Sequence, residues 1–146
     1  MSATVGRPAT REQLQQALAQ LGARGGGAAE RIARGEAYFR LAVQADTDMD
    51  EAIRLLEQAE TCDPYHPKIA FHLGRLRHQN GDPQGAVFEY RRALRLAPRS
   101  HRTFVHLALA LEELSEPEKK LAVDMLSAVA GDDQPQLQQL VTKLDA

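Results

Sequence analysis

The residue types that could carry chemistry in this chain are five histidines, one cysteine and a run of three glycines. A zinc site needs ligands converging from fixed spacings. His66, His72, His78, His101 and His106 form no His-x-x-x-His pair, and Cys62 has no Cys-x-x-Cys partner. His72 and His106 are 34 residues apart, with no third ligand beside them. Cys62 precedes Asp63 and lacks the cationic setting that lowers a thiol pKa, so it reads as half-buried filler. Gly25-Gly26-Gly27 follows no strand and reads as a linker, not a phosphate cradle. No nucleophile motif or carboxylate pair at catalytic spacing appears. The expectation is a non-enzymatic chain without metal or cofactor, whose chemistry is binding.

Bulk properties narrow the partners. Eighteen Lys and Arg against twenty Asp and Glu give a net charge of −2 over 146 residues. No global field demands nucleic acid or a membrane surface. A single cysteine excludes an internal disulfide framework and fits a reducing compartment. No apolar run approaches the roughly 20 residues that span a bilayer. Met1 to Thr10 carry Val5 as their one large apolar residue, which is no signal-peptide core. A cytoplasmic protein is expected, and the Ala-, Leu- and Arg-rich composition suits a bacterial source.

The elements that position any binding residues repeat. Ala52, Leu56, Ala59 and Pro64 recur 34 residues later as Ala86, Tyr90, Ala93 and Pro98. A second word reads apolar, basic, Leu, small. Its copies are Phe39-Arg40-Leu41-Ala42, Phe71-His72-Leu73-Gly74 and Val105-His106-Leu107-Ala108. Each word sits on an amphipathic helix, and Ala42, Gly74 and Ala108 let a partner helix approach closely. Gly74 and Ala86 are expected at the close contact of the second helix pair. Pro64 and Pro98 stop the second helix of a pair.

This pattern resembles the tetratricopeptide repeat (TPR) family over roughly residues 35–130. Arg77 departs from it where a Tyr is usual, and Ala70 where a Trp is usual. The resemblance implies an all-α, right-handed superhelical stack of antiparallel helix pairs. Its units are about 35–66, 67–100 and 101–131, within a domain over 28–146. It also implies a concave groove lined by the first helix of each pair. By that analogy the groove residues are Arg40, Lys68, Phe71, His72, Arg75, Arg102, Val105, His106 and Leu109. Glu36 and Phe39 would flank them. The groove is basic with an apolar strip, suited to an acidic or amphipathic segment of a protein partner. Its histidines would strengthen such binding below about pH 6.5. Chaperone-tail clamps of the family place Lys or Asn where Phe39, Val43 and His72 stand, so that specialised use is not implied.

Eight helices and no strand are expected. Residues 1–10 are read as disordered, and Thr10 caps a helix through about Leu21, with Gly25 to Gly27 as hinge. Helices then run over about 28–45, 48–62, 67–79, 82–97, 100–113 and 115–130, with Asp48 and Glu51 expected as a capping box on the second of these and Gly131 as a stop. A last helix over 133–145 presents Leu137, Leu140, Val141 and Leu144 to cover the open end. The leading function is an adaptor or scaffold module that binds a peptide or protein. The second is homo-oligomerisation or regulation through Leu14, Leu18 and Leu21.

Overall fold

Helix caps written into the sequence set most of the element boundaries. The computed structural model describes residues 9–23, 26–44, 46–128 and 134–145. Residues 1–8, Gly25, Ala45, Gly131 and Asp133, on which several expectations fell, lie outside the described residues. Among the described residues there are eight α-helices and no strand. None of these helices is long and apolar enough to cross a membrane. The chain divides into two units, Met1–Pro64 and Tyr65–Ala146.

The first unit holds α1 (Arg11–Ala23), α2 (Ala28–Ala42) and α3 (Met49–Cys62). Thr10 and Gln13 close a reciprocal cap on α1: each backbone N–H donates to the other's side-chain oxygen, at 2.9 and 3.2 Å. Leu14 is buried with Ala37 and Leu41, and Leu18 and Leu55 pack on them. Arg11 donates to Thr47 Oγ1 at 2.9 Å and to Glu51 Oε1 at 3.2 Å. So α1 docks on the α2–α3 pair, and Leu14 and Leu18, read as self-pairing residues, serve the interior of this unit. Asp48 caps α3 by accepting from the Glu51 N–H at 2.9 Å. The expected return bond from Glu51 is not made, because Arg11 holds that carboxylate. A Cβ on Gly35 would lie 3.0 Å from Asp63 Cβ and 3.3 Å from the Ala59 carbonyl oxygen. The close approach of α2 to α3 thus uses Gly35 as well as the expected small residues Ala42 and Ala52, both buried.

The second unit holds α4 (Pro67–Gln79), α5 (Pro83–Leu96), α6 (His101–Glu112), α7 (Glu116–Ser127) and α8 (Pro135–Asp145). The α4–α5 turn needs a left-handed residue, and Gly81 supplies it at φ +82°. Around it the Asp82 N–H donates to the Arg77 carbonyl at 2.8 Å and the Gly81 N–H to that of His78 at 3.1 Å. This paired closure satisfies carbonyls that the helix end leaves over. Asp82, Ser100 and Ser115 then cap α5, α6 and α7, and Ser115 with Glu118 forms a full capping box.

The 34-residue period is visible in the backbone. Helices α3 and α5 begin at 49 and 83 and end at 62 and 96, and α4 and α6 begin at 67 and 101. Asp63 and Ala97, the residues before Pro64 and Pro98, share φ −138° and ψ 80°. Proline excludes the helical region for the residue before it, so the same residue in the same place stops both helices alike.

Between α4 and α5 the aromatic ring of Tyr90 fills the space a side chain at Gly74 would need. A Cβ there would stand 2.6 and 2.8 Å from two ring carbons. Gly74 and Ala86 are both buried in the α4–α5 pair, and the side chain that Gly74 makes room for is Tyr90. Ala108 is half-buried, while Leu107, Ala110 and Leu111 carry the buried face of α6.

Leu137 of α8 is buried in one cluster with Leu111, Leu126 and Ala122, and Leu140, Val141 and Leu144 pack against it. The four leucine and valine positions of the expected capping stripe do meet the core. Ending the chain at Gly131 removes them and uncovers that apolar surface. The shortened protein is expected to melt at a lower temperature and to self-associate. Light scattering and thermal melts check this, and an unchanged monomer would show that α8 contributes nothing.

Candidate binding face on helices α4 and α6

Helix α4 begins at Pro67, which suits a first turn because its missing N–H costs no hydrogen bond there. Lys68, Phe71, His72 and Arg75 fall at helical spacing along α4, and Arg102, Val105, His106 and Leu109 along α6. The two helices come together in the second unit. Arg40 belongs to the first unit, on α2, where its Nε donates to Glu36 Oε1 at 2.9 Å.

Phe71 is the floor of the α4–α6 face. Its ring centroid lies 5.2 Å from His106, 5.5 Å from His72 and 6.0 Å from Tyr90. The Arg102 guanidinium carbon sits 4.8 Å from the same centroid, a cation–π distance. Phe71 is only 6% exposed. This corrects the expectation of an exposed Phe71: the ring is already covered, and it positions Arg102 and the imidazoles above it. The apolar surface left open is Val105 and Leu109, 40% and 49% exposed, one turn apart on α6.

Three cations frame this face. Among the described residues no carboxylate comes within ion-pair distance of Lys68, Arg75 or Arg102. Glu113, at the end of α6, pairs instead with His78 at the end of α4. Tyr90 adds a polar group that repeat patterning conceals. Its hydroxyl oxygen is buried and has no hydrogen-bond partner. Burial pushes its pKa up to about 12, against the opposing pull of Arg75, so it remains a neutral donor. The equivalent position of the first repeat is Leu56, which packs without any hydroxyl. The sequence signal available was that Leu-to-Tyr exchange within otherwise matched words.

His72 and His106 are neutral at neutral pH. Burial first, then Arg75, Arg102 and Lys68, hold His72 down at about 4. His106 is also lowered, by burial and then by Arg75, Arg102 and His78. The pH window expected at 6.5 therefore moves down, and charge at neutral pH comes from the lysine and the arginines. An unfolded chain protonates both imidazoles near pH 6.5. Below that pH the folded protein binds fewer protons than the unfolded chain, so stability is complete above pH 6.5 and is lost as pH falls toward 4. Urea midpoints are expected to be flat at neutral pH and to decline through that window. A His72→Gln, His106→Gln variant should decline less steeply; equal slopes would show that these two groups do not carry the effect.

Among the described residues no cluster of three or more His, Cys, Asp or Glu is arranged to hold a metal ion. Compared with known proteins, the chain matches no protein-family model and no curated protein.

Proposed function

We propose that this protein is a binding module whose α4–α6 face takes an acidic, amphipathic segment of a partner protein. The observation that carries this reading is the set of three unpaired cations, Lys68, Arg75 and Arg102, beside exposed Val105 and Leu109. A carboxylate-bearing segment would steer toward the cations and lay apolar side chains on the α6 strip. The buried Tyr90 hydroxyl supports the reading as a donor awaiting an acceptor. The architecture we read is a right-handed stack of TPR-like helix pairs, supported by the 34-residue recurrence of helix starts and of the pre-proline helix stops. In that reading the module is an adaptor or scaffold, not a catalyst.

The test is fluorescence anisotropy with a short labelled peptide of glutamate and leucine, titrated with the full chain at low and raised salt. Binding that weakens steeply with salt supports the proposal, because exposed charge pairs are screened within about 10 Å at 0.1 M ionic strength. Absence of binding at low salt, or binding indifferent to salt, would contradict it.

A further inference from the structure

A cavity of about 210 Å³, distinct from the α4–α6 face, lies where the α5–α6 junction meets the first turn of α8. Its apolar wall includes Leu94, Phe104 and Leu137, and Arg99 also lines it. The volume falls below the roughly 300–1,000 Å³ of clefts for drug-sized molecules, so its natural occupant is about one amino-acid residue.

Polar groups fix what kind of residue. Gln134 is only 7% exposed. Its Nε2 donates to the Leu94 carbonyl oxygen at 3.2 Å, which orients the amide. The other end, Oε1, is buried and has no partner. A buried acceptor left without a partner forfeits its hydration, so a donor arriving there is favoured. Gln136 and Leu137 occupy the first turn of α8, also in the cavity lining. Their N–H groups have no acceptor within the helix, and a helix start of this kind attracts anions. Arg99 carries no ion pair among the described residues.

We infer that this cavity binds the apolar C-terminal residue of a partner peptide. The peptide's terminal N–H donates to Gln134 Oε1. Its carboxylate lies between Arg99 and the start of α8. Its side chain fills the space walled by Leu94, Phe104 and Leu137. The three needs of such a residue, an acceptor, an anion site and an apolar socket, are met within one cavity, and a free carboxylate separates it from a mid-chain segment.

The experiment is a ¹H–¹⁵N correlation titration of the full chain with acetyl-Gly-Gly-Leu bearing a free carboxylate, and with the same peptide as its C-terminal amide. The free acid is expected to shift the amides of Leu94, Phe104, Gln136 and Leu137, and to bind at least about tenfold more tightly than the amide, a difference of 1.4 kcal/mol. Arg99→Glu should remove most of that preference. Gln134→Leu should weaken both peptides while leaving the fold intact, since it replaces a half-satisfied amide with an apolar group of similar size. Equal affinity for acid and amide, shifts confined to Arg75 and Arg102 on the other face, or no shifts at millimolar peptide would overturn the inference.

Discussion

Replacing Gly74 with leucine is expected to destabilise the protein by about 3 kcal/mol, the upper end of the range for overpacked cores. Even the first added carbon meets the Tyr90 ring at 2.6 Å. That ring is fully buried and cannot swing into solvent. Alanine at Gly74 is a sharper probe. It gains about 1 kcal/mol of helix propensity, yet the same clash should make it a net loss. Tyr90→Phe tests the other half of the contact. It removes a buried hydroxyl without a partner and keeps the ring, so stability should hold or rise. Gly74→Ala combined with Tyr90→Leu should cost less than the sum of the separate changes, because the two positions share one space. Urea unfolding of these four variants and of the single Tyr90→Leu change gives the comparison. A Gly74→Leu protein as stable as the parent would place the α4–α5 contact elsewhere.

Helix positions were legible in the sequence wherever a cap or a stop wrote them. Asp48, Pro67, Gly81, Asp82 and Ser115 act locally, within four residues of the group they satisfy, so their effect is readable without tertiary knowledge. The small-residue words were legible for the same reason: period and size survive in one dimension. What escaped depends on partners distant in sequence. Glu51 was expected to complete a capping box, but Arg11, 40 positions away, takes its carboxylate. Gly35 packs on Ala59 and Asp63 without belonging to either repeating word. On the candidate face, the types and helical spacing of Lys68, Arg75 and Arg102 were readable, and so was their closeness to the histidines. The depth of Phe71 was not, because it is set by Arg102 lying across the ring from the next repeat. Nor was the descent of His72 to about 4, which sums burial with three cations from two helices. The free hydroxyl of Tyr90 was not legible either, since spacing alone does not tell a ring that packs from a hydroxyl left wanting an acceptor.

Reversing two charges on the α4–α6 face is expected to have the largest effect on binding. Hydrogen bonds to charged groups contribute about 1.5–3 kcal/mol each, and glutamate at both positions adds repulsion to their loss. Arg75→Glu with Arg102→Glu should therefore weaken the glutamate–leucine peptide by at least about 100-fold, or 2.7 kcal/mol. Loss of Arg102 also uncovers Phe71, so the variant must first match the parent in circular dichroism and urea midpoint. Leu109→Ser in the parent background should weaken the same peptide without altering its salt dependence, separating the apolar strip from the cations. The decisive measurement is the anisotropy titration of the folded Arg75→Glu, Arg102→Glu protein against that peptide and against its lysine–leucine counterpart. Loss of the acidic peptide with gain of the basic one is the predicted result. Unchanged affinity for the acidic peptide would contradict the assignment of this face as the binding site.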